Sequence, residues 1–447
     1  MSTLEPPQQT PGSVPLEDEI LPGYTSSREP HVHLTSIPGR NGSPWLTLRL
    51  LSDAPAGSKT PMYFNGGSVR GSAEIDLKSG QTVRSVVIEV STIPYPCAPT
   101  CNHLANLKLI AKLCLATIHG QPLLWQERKT LWEPGGSYIP APTTLGGSWK
   151  WDFDIPIPHC FDDSPSGGSK SAPLPGSFDL KPVLAYLEYH AFVYVKRGKR
   201  LPTEHEAHTQ FIYVVRERAP QSSRLREIAY SEQRAPPGPA HDPNGWEACS
   251  EIIAAGFLFG DRKATPYLSK PSIYPRGGTV FYHIDVLSDD SQALQLMSSP
   301  SAISVSLNQE VQYSPFGTSI EKAAGKKQIV VDVHPVANGV SWASSSAEAP
   351  SGGTRMLEGE ISVPSRSILN IDMSALKLRY FVNFIASATG FVATNPSLMS
   401  VKHPVRIVSH RALGPPPTSR VPPGYEPEPI LPRNGLAGGA GGLSEFM

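Results

Sequence analysis

The sequence predicts an all-β protein in which two antiparallel β-sandwiches follow one another, with a disordered tail at each end. Short stretches of alternating apolar and polar residues recur along the chain, as expected of strands with one buried face. Clusters of Gly, Pro and Ser separate these stretches. The 47 prolines and 38 glycines make up about 19% of the 447 residues, well above the average usage of roughly 12%. The length accommodates two or three domains of about 150 residues each.

The N-terminal tail is predicted to comprise residues 1–44, which are rich in Pro and acidic groups and contain few large apolar side chains. Such a segment buries too little surface to offset the entropy lost when its backbone is ordered. After the tail the pattern changes to a period of two, because Leu46, Leu48 and Leu50 alternate with polar residues. The first sandwich is therefore predicted over residues 45–217.

One stretch of this sandwich is ambiguous. In residues 104–115 the apolar side chains fit both the period of two of a strand and the 3.6-residue period of a helix. We favour the strand.

The second half begins with a polar segment rich in Pro and Arg, residues 218–245, which is predicted to be a linker. Renewed alternation, as in residues 280–286, predicts a second sandwich over residues 246–412. Within it, residues 337–354 are rich in Ser, Ala and Gly and are predicted to form a mobile loop. Residues 413–447 are rich in Pro and Gly and are predicted to be a disordered tail.

Charge and composition argue against several classes of protein. The 39 basic and 39 acidic residues give a formal net charge of zero, so no overall field attracts the chain to nucleic acid. The sequence has no apolar run of about 18 residues and no signal peptide at its N-terminus. Five cysteines, an odd and small number, argue against a disulfide framework. We expect a cytoplasmic protein with no nucleic-acid partner.

Sequence motifs for catalysis are absent, because the chain contains no Gly-x-Ser-x-Gly, no His-Glu-x-x-His and no phosphate-binding Gly-rich loop. We therefore expect no enzymatic activity and no cofactor. Two patterns resemble parts of a metal site. Cys97-x-x-x-Cys101-x-His103 lacks a fourth ligand at matching spacing, and His205 and His208 would point to opposite faces of a hairpin. We interpret both as loop or turn residues and predict no metal site.

Two further sets of residues have a functional and an ordinary interpretation. Asp152 and Asp154 lie two apart on a predicted strand and face the same side, as a general acid and base would, but a solvated strand face also explains them. Trp125, Trp132 and Trp151 are compatible with a sugar-binding platform, yet such residues more often belong to the core or edge of a sandwich. We prefer the ordinary interpretation for both sets.

The most specific short motif lies in the C-terminal tail. Pro422-Pro423-Gly424-Tyr425 matches the PPxY ligand of WW domains, in which paired prolines preset a polyproline II conformation and the tyrosine fills a neighbouring pocket. Near the N-terminus, Leu21-Pro22-Gly23-Tyr24 is a weaker LPxY version. Two ligands on one chain permit avid capture by a partner with tandem WW domains. The alternative interpretation of each motif is a β-turn with Pro-Gly at its centre.

Several longer stretches resemble arrestin-like proteins. Their order and spacing carry the resemblance, which extends from about Trp45 to His410. The first of them, residues 64–77, resembles the G-x-V-x-G strand of an arrestin N-domain. The similar stretches are, in chain order, residues 64–77, 83–90, 151–156, 174–178, the long hairpin 186–215, and, in the second half, residues 358–364 and 378–384.

The resemblance implies two immunoglobulin-like sandwiches in an arrestin fold, of the fungal α-arrestin type. Such proteins bind cytoplasmic tails of membrane transporters or receptors and recruit a HECT-type ubiquitin ligase through PPxY motifs, so that the cargo is ubiquitinated and endocytosed. The implied WW-binding residues are Pro422, Pro423 and Tyr425, with Leu21, Pro22 and Tyr24 as a second candidate set. Relatives often have more PPxY motifs than the single full one found here.

Other interpretations stay open. The basic residues Lys196, Arg197, Lys199 and Arg200 cluster at the expected tip of the long hairpin, where they suit acidic cargo tails or an anionic membrane surface, although a solvated turn explains them equally. The same fold also serves trafficking or pH-signalling scaffolds that recruit no ligase. A carbohydrate-binding or carbohydrate-active sandwich is a third function; it requires exposed aromatic residues clustered with carboxylates and a secretory signal, which the sequence lacks.

Overall fold

The structure, a computed structural model, describes residues 30–39, 41–55, 57–81, 83–91, 110–115, 123–133, 145–163, 170–183, 185–198, 203–254, 262–313, 320, 329–344, 353–386 and 396–425. The strands of the first half are β1 His31–Pro38, β2 Pro44–Ser52, β3 Met62–Phe64, β4 Ser68–Gln81, β5 Val83–Ser91, β6 Ile110–Leu115, β7 Leu123–Trp125, β8 Glu127–Trp132, β9 Leu145–Pro156, β10 Cys160–Asp162, β11 Ser171–Pro173, β12 Phe178–Leu180, β13 Ala185–Arg197 and β14 Thr203–Val214.

The second half contains two short helices, α1 and α2, and eleven further strands within the described residues. These elements are α1 Arg224–Ser231, β15 Trp246–Ala248, β16 Ile252–Ala254, β17 Arg262–Ser269, β18 Ile273–Pro275, β19 Thr279–Leu287, α2 Ser291–Met297, β20 Ile303–Tyr313, β21 Val330–Ala343, β22 Thr354–Ser362, β23 Ile371–Asp372, β24 Leu376–Ala386 and β25 Ser400–Val408. The prediction of an all-β protein is confirmed.

The two larger sheets of the first half face each other. One has the strand order β1-β2-β4-β9, and the other follows the path β3-β14-β13-β5-β8 with β6, β7 and β12 attached. Leu46, Leu48 and Leu50 on β2 are fully buried between the sheets, as their alternation predicts. Across the layers, the ring of Trp45 on β2 packs edge-on against His205 on β14, with 5.0 Å between ring centroids.

In the second half the strands form one curled sheet that folds over into two layers. Its path is β15-β17-β19-β22-β21-β20-β24-β25-β18. The long strand β21 belongs to both layers, because residues 330–338 pair with β20 and residues 339–343 pair with β22. Tyr282 on β19 meets Phe384 on β24 edge-on, with 5.9 Å between centroids. Gly359 on β22 makes room for the Tyr282 ring, since a Cβ there would lie 2.1 Å from it.

The ambiguous stretch at residues 104–115 is a strand where the structure describes it, because β6 covers Ile110–Leu115 and pairs with β13. Residues 104–109 lie outside the described part of the chain. The long hairpin expected at residues 186–215 is formed by β13 and β14, which pair in antiparallel fashion from Tyr189↔Phe211 to Arg197↔Thr203.

The prediction that residues 1–44 are disordered is wrong for β1, which pairs with β2 along its length. Two of its apolar side chains face outward, since Val32 is 41% and Leu34 59% exposed, and only Ile37 near its end packs against the core. The buried position is polar: His33 Nε2 lies 3.2 Å from Ser52 Oγ on β2. Because the usual order of polar and apolar positions is reversed, hydrophobic periodicity does not reveal this strand.

Three other segments predicted to be irregular also differ in the structure. The linker, residues 218–245, contains α1. The predicted mobile loop, residues 337–354, begins within β21, and residues 345–352 lie outside the described part. Residues 413–425 of the predicted C-terminal tail pack against the second half, whereas residues 426–447 are not described.

The two halves contact each other through buried hydrogen bonds. The Asp163 carboxylate, just after β10, accepts from the Ser374 backbone N–H at 2.6 Å and from its Oγ at 2.7 Å, and both residues are buried. At a second point, Glu217 pairs with Arg406 on β25 at 2.8 Å. None of the helices in the described part is long and apolar enough to cross a bilayer.

Candidate functional site

The outer face of β19 and β22 is covered by two elements that lie side by side. Tyr230 on α1 packs against Phe281 on β19, with 6.2 Å between ring centroids, and Phe281 is only 6% exposed. On β22, Glu360 stands directly opposite Phe281 in the strand register. Glu360 receives hydrogen bonds from the C-terminal segment at Ser419. The helix and the C-terminal segment therefore meet above neighbouring positions of one sheet.

Polar contacts hold α1 in place. Ser223 caps the helix by accepting from the Arg226 N–H at 3.3 Å. Arg226 itself is 1% exposed; its Nη2 donates to the Gly245 carbonyl at 2.8 Å and its guanidinium lies over the Trp246 ring, 4.5 Å from the centroid. The delocalised guanidinium suits this stacked, buried position.

We call residues 413–421 the strap. Its main anchor is the Glu360 carboxylate, which accepts from Ser419 Oγ on one oxygen and from the Arg420 N–H at 3.1 Å on the other. Arg420 Nη1 also lies 3.9 Å from Glu358 Oε2, two residues earlier on β22. Since Glu360 is 6% exposed, the acceptor of these charge-assisted bonds is shielded from bulk water, which strengthens them.

The PPxY motif follows the strap and forms a turn, which we call the proline turn, at Pro422–Tyr425. The Tyr425 N–H donates to the Pro422 carbonyl at 3.2 Å, and Gly424 has a φ of 89°. Proline at the second position and a positive-φ glycine at the third are the signature of a type II turn. Tyr425 is 41% exposed, Pro423 is exposed and Pro422 is half-buried. The tyrosine ring is therefore available at the surface.

Two clefts border the strap. The larger, of about 370 Å³, is lined by α1, the loop around Lys270 and the start of the strap at Pro415. The smaller, of about 210 Å³, lies between the end of α1 and residues 418–420. The strap thus rests beside α1 with open space along their boundary.

The larger cleft has a positive electrostatic character. Its charged lining residues are Arg226, Lys270, Arg276, Arg411 and one acid, Glu227. His410 also lines it, and its pKa is lowered by burial and by the nearby charges of Arg216, Arg218 and Arg276. Burial and the surrounding arginines thus both disfavour the charged imidazole, and the cleft, with four cations against one acid, favours anionic groups over cations.

At the tip of the long hairpin, the described basic residues have partners within the chain. Lys196 pairs with Glu204 at 3.1 Å. The Arg197 guanidinium lies over Trp45, 3.7 Å from the ring centroid, and its Nη2 donates to His205 Nε2 at 2.9 Å. Burial and the Arg197 charge lower the pKa of His205. Lys199 and Arg200, the other residues of the predicted contact patch, lie outside the described residues.

The paired acids on β9 occupy the solvated face that the ordinary interpretation predicts. Asp152 and Asp154 are exposed, and Lys150 Nζ lies 3.2 Å from Asp152 Oδ1. The rings of Trp149 and Trp151 stack at 6.2 Å on the other face of the strand. The aromatic groups and the carboxylates are therefore on opposite sides, which does not suit a sugar site.

The predicted metal-like patterns are not brought together where the structure describes them. His205 contacts Arg197, whereas His208 pairs with Glu206 at 3.2 Å. Within the described ranges, no group of three or more His, Cys, Asp and Glu side chains is placed to hold a metal ion. Cys97, Cys101 and His103 lie outside those ranges, as do Leu21, Pro22 and Tyr24 of the LPxY motif.

Sequence reasoning located the PPxY motif but missed the residues that position it. Glu360 occurs in a strand of mixed polarity, and such an acid signals a buried polar contact only when its partner is known. For α1 a signal exists, since Ser223 precedes a segment in which Leu225, Ile228 and Ala229 recur at helical spacing.

Comparison with known proteins adds no assignment. No protein-family model matches the chain, and no curated protein matches it in sequence.

Proposed function

We propose that this chain is a non-enzymatic adaptor of the arrestin type. In this proposal its β-sandwiches hold the cytoplasmic tail of a membrane transporter or receptor, and the proline turn recruits a WW-domain ubiquitin ligase of the HECT type. The cargo is then ubiquitinated and endocytosed. The protein works in the cytoplasm and transiently at the plasma membrane or endosomes. Bridging acts by raising the local concentration of cargo lysines near the ligase.

The observation that carries this proposal is the exposure of the proline turn at the end of an anchored strap. Tyr425 is 41% exposed and Pro423 is exposed, so the ring and one proline are accessible to a WW domain. Proline fixes φ near −65°, and the second position of a type II turn has an extended ψ, so both prolines start close to the polyproline II conformation that WW grooves bind.

A scaffold that recruits no ligase is the second candidate, and one observation favours it. The motif forms a Pro-Gly turn, as the alternative interpretation of the sequence motif predicts, and the strap that precedes it is hydrogen-bonded to β22. Deletion of residues 414–447 separates the two functions. An adaptor loses its WW partner and its own ubiquitination, whereas a scaffold keeps its main partner. A carbohydrate-binding function has less support, because the stacked tryptophans of β9 face away from Asp152 and Asp154.

The proposal is tested by titrating the full chain into an isolated WW domain by calorimetry. We expect the Tyr425→Ala variant to bind at least thirtyfold more weakly, because an aromatic anchor in a binding pocket typically contributes 2 kcal/mol or more. Tyr24→Ala is the matched control and reports whether the LPxY copy is used. Equal binding by the unmodified chain and by Tyr425→Ala refutes recruitment through this motif.

A further inference from the structure

We propose that Ser419 is a phosphorylation site, and that its modification releases the strap and opens the proline turn to its partner. The opening of the proline turn rests on the proposed function, because it takes the partner to be a WW domain. The release of the strap depends only on the contacts of Ser419.

The position of Ser419 gives it control over the strap. Ser419 is exposed, as are its neighbours along the strap, yet its hydroxyl donates to the buried carboxylate of Glu360. The Arg420 N–H donates to the other oxygen of the same carboxylate at 3.1 Å. One acid thus fixes two consecutive residues, and a change that makes position 419 incompatible with Glu360 disrupts the main anchor of the strap.

The chemical step is phosphoryl transfer by a protein kinase from a nucleoside triphosphate. Ser419 Oγ attacks the γ-phosphorus, and an Oγ–P bond forms while the bond from that phosphorus to its bridging oxygen breaks. The nucleoside diphosphate leaves with the electron pair. The hydroxyl proton passes to a base of the kinase. Ser419 thereby exchanges its side-chain hydrogen-bond donor for a group of charge about −1.5 to −2 at neutral pH.

The new charge would face two acids on β22. Glu360 accepts the present hydrogen bond and Glu358 lies 3.9 Å from Arg420. Repulsion at Glu360 is poorly screened because that carboxylate is 6% exposed. The cations in reach are Arg420 and Arg234, which lines the small cleft beside Ser419. Arg234 already donates to Glu232, and at 69% side-chain exposure its attraction is weak. Repulsion therefore dominates.

Release of the strap bears on the motif because the two are contiguous. Pro422 and Val421 are half-buried while the strap is docked, so one face of the first proline is covered. A WW domain must bind both prolines in its groove, and it therefore competes with the docked strap for the first proline. An affinity that requires an undocked minor state is reduced by the population of that state.

The test compares the full chain with and without phosphoserine incorporated at position 419, using hydrogen exchange and calorimetry with a WW domain. We expect exchange of the Arg420 amide to accelerate about tenfold and the affinity for the WW domain to rise about tenfold. Ser419→Ala, which loses the hydrogen bond but adds no charge, should give a smaller change in both. Phosphoserine in a Glu360→Gln chain should also have a smaller effect, because the repelling charge is gone.

The outcomes separate this inference from the proposed function. Unchanged or slower exchange of the Arg420 amide in the phosphorylated chain overturns strap release. Faster exchange with unchanged WW affinity overturns the coupling between strap and motif. Faster exchange with no WW binding by either form supports release but overturns both the coupling and the proposed ligase recruitment.

Discussion

The buried contact between Asp163 and Ser374 should couple the stabilities of the two halves. The carboxylate accepts two hydrogen bonds, from the Ser374 N–H and from Ser374 Oγ, at 2.6 and 2.7 Å. A hydrogen bond to a charged group contributes about 1.5–3 kcal/mol, and a donor left unpaired in a buried site costs a comparable amount. Asp163→Ala loses both bonds, and at about 1.5 kcal/mol for each we expect it to reduce the free energy of unfolding by about 3 kcal/mol.

The paired variant isolates the side-chain contribution. Ser374→Ala removes the bond from Oγ and leaves the backbone bond, so it should cost about 1.5 kcal/mol. Because both single variants lose that bond, the double-mutant cycle should give a coupling energy of about 1.5 kcal/mol. Asp179→Ala, the same truncation at an exposed position on β12, should stay within about 0.5 kcal/mol.

Urea unfolding monitored by tryptophan fluorescence measures these changes, because Trp45 lies in the first half and Trp246 in the second. Hydrogen exchange of the Ser374 amide gives a local readout, which should accelerate in Asp163→Ala. A coupling energy below about 0.3 kcal/mol, the level expected of independent sites, would refute the assigned contact.

Two further predictions concern single sites. Gly359→Ala places a Cβ 2.1 Å from the buried ring of Tyr282, so we expect a loss of about 3 kcal/mol from overpacking; an unchanged melting temperature would contradict this packing. A hydrogen bond to Glu206 raises the pKa of His208 above its usual 6.5. The resulting stabilisation is complete below the unfolded pKa and disappears as the pH rises through the folded value. In an NMR titration, Glu206→Gln should lower the pKa of His208, and an unshifted titration would exclude Glu206 as its cause.

Hydrophobic alternation was sufficient to predict the strands that form the core. Leu46, Leu48 and Leu50 are fully buried, and the hairpin of β13 and β14 lies where its two apolar runs indicate. Both succeed because each strand has one face against an apolar layer, so the period in the sequence is the period of burial. The fold class followed from this pattern together with the Gly, Pro and Ser clusters that separate the runs.

Elements that bury polar groups escaped the same reasoning. On β1, His33 is buried while Leu34 is 59% exposed. On α1, Arg226 is 1% exposed while Leu225 is 50% exposed. Their stability depends on partners far away in the sequence, such as Ser52 for His33. A local pattern carries no information about such partners. Periodicity therefore does not reveal β1, whereas for α1 the helical spacing of Leu225, Ile228 and Ala229 is a signal that the Pro-rich and Arg-rich composition of the predicted linker obscured.

The strap belongs to this second class, and that is why it suits a regulatory role. A segment held by an apolar stripe is released only by unfolding its surroundings, because its stabilisation is spread over many contacts. Ser419 and Arg420 instead share the carboxylate of Glu360, with a longer contact from Arg420 to Glu358, so their stabilisation depends on two neighbouring acids of one strand. A change of charge at position 419 can remove it and leave the sandwich beneath intact. In our proposal the candidate WW ligand is visible in the sequence, whereas its control depends on a polar contact that only the folded chain brings together.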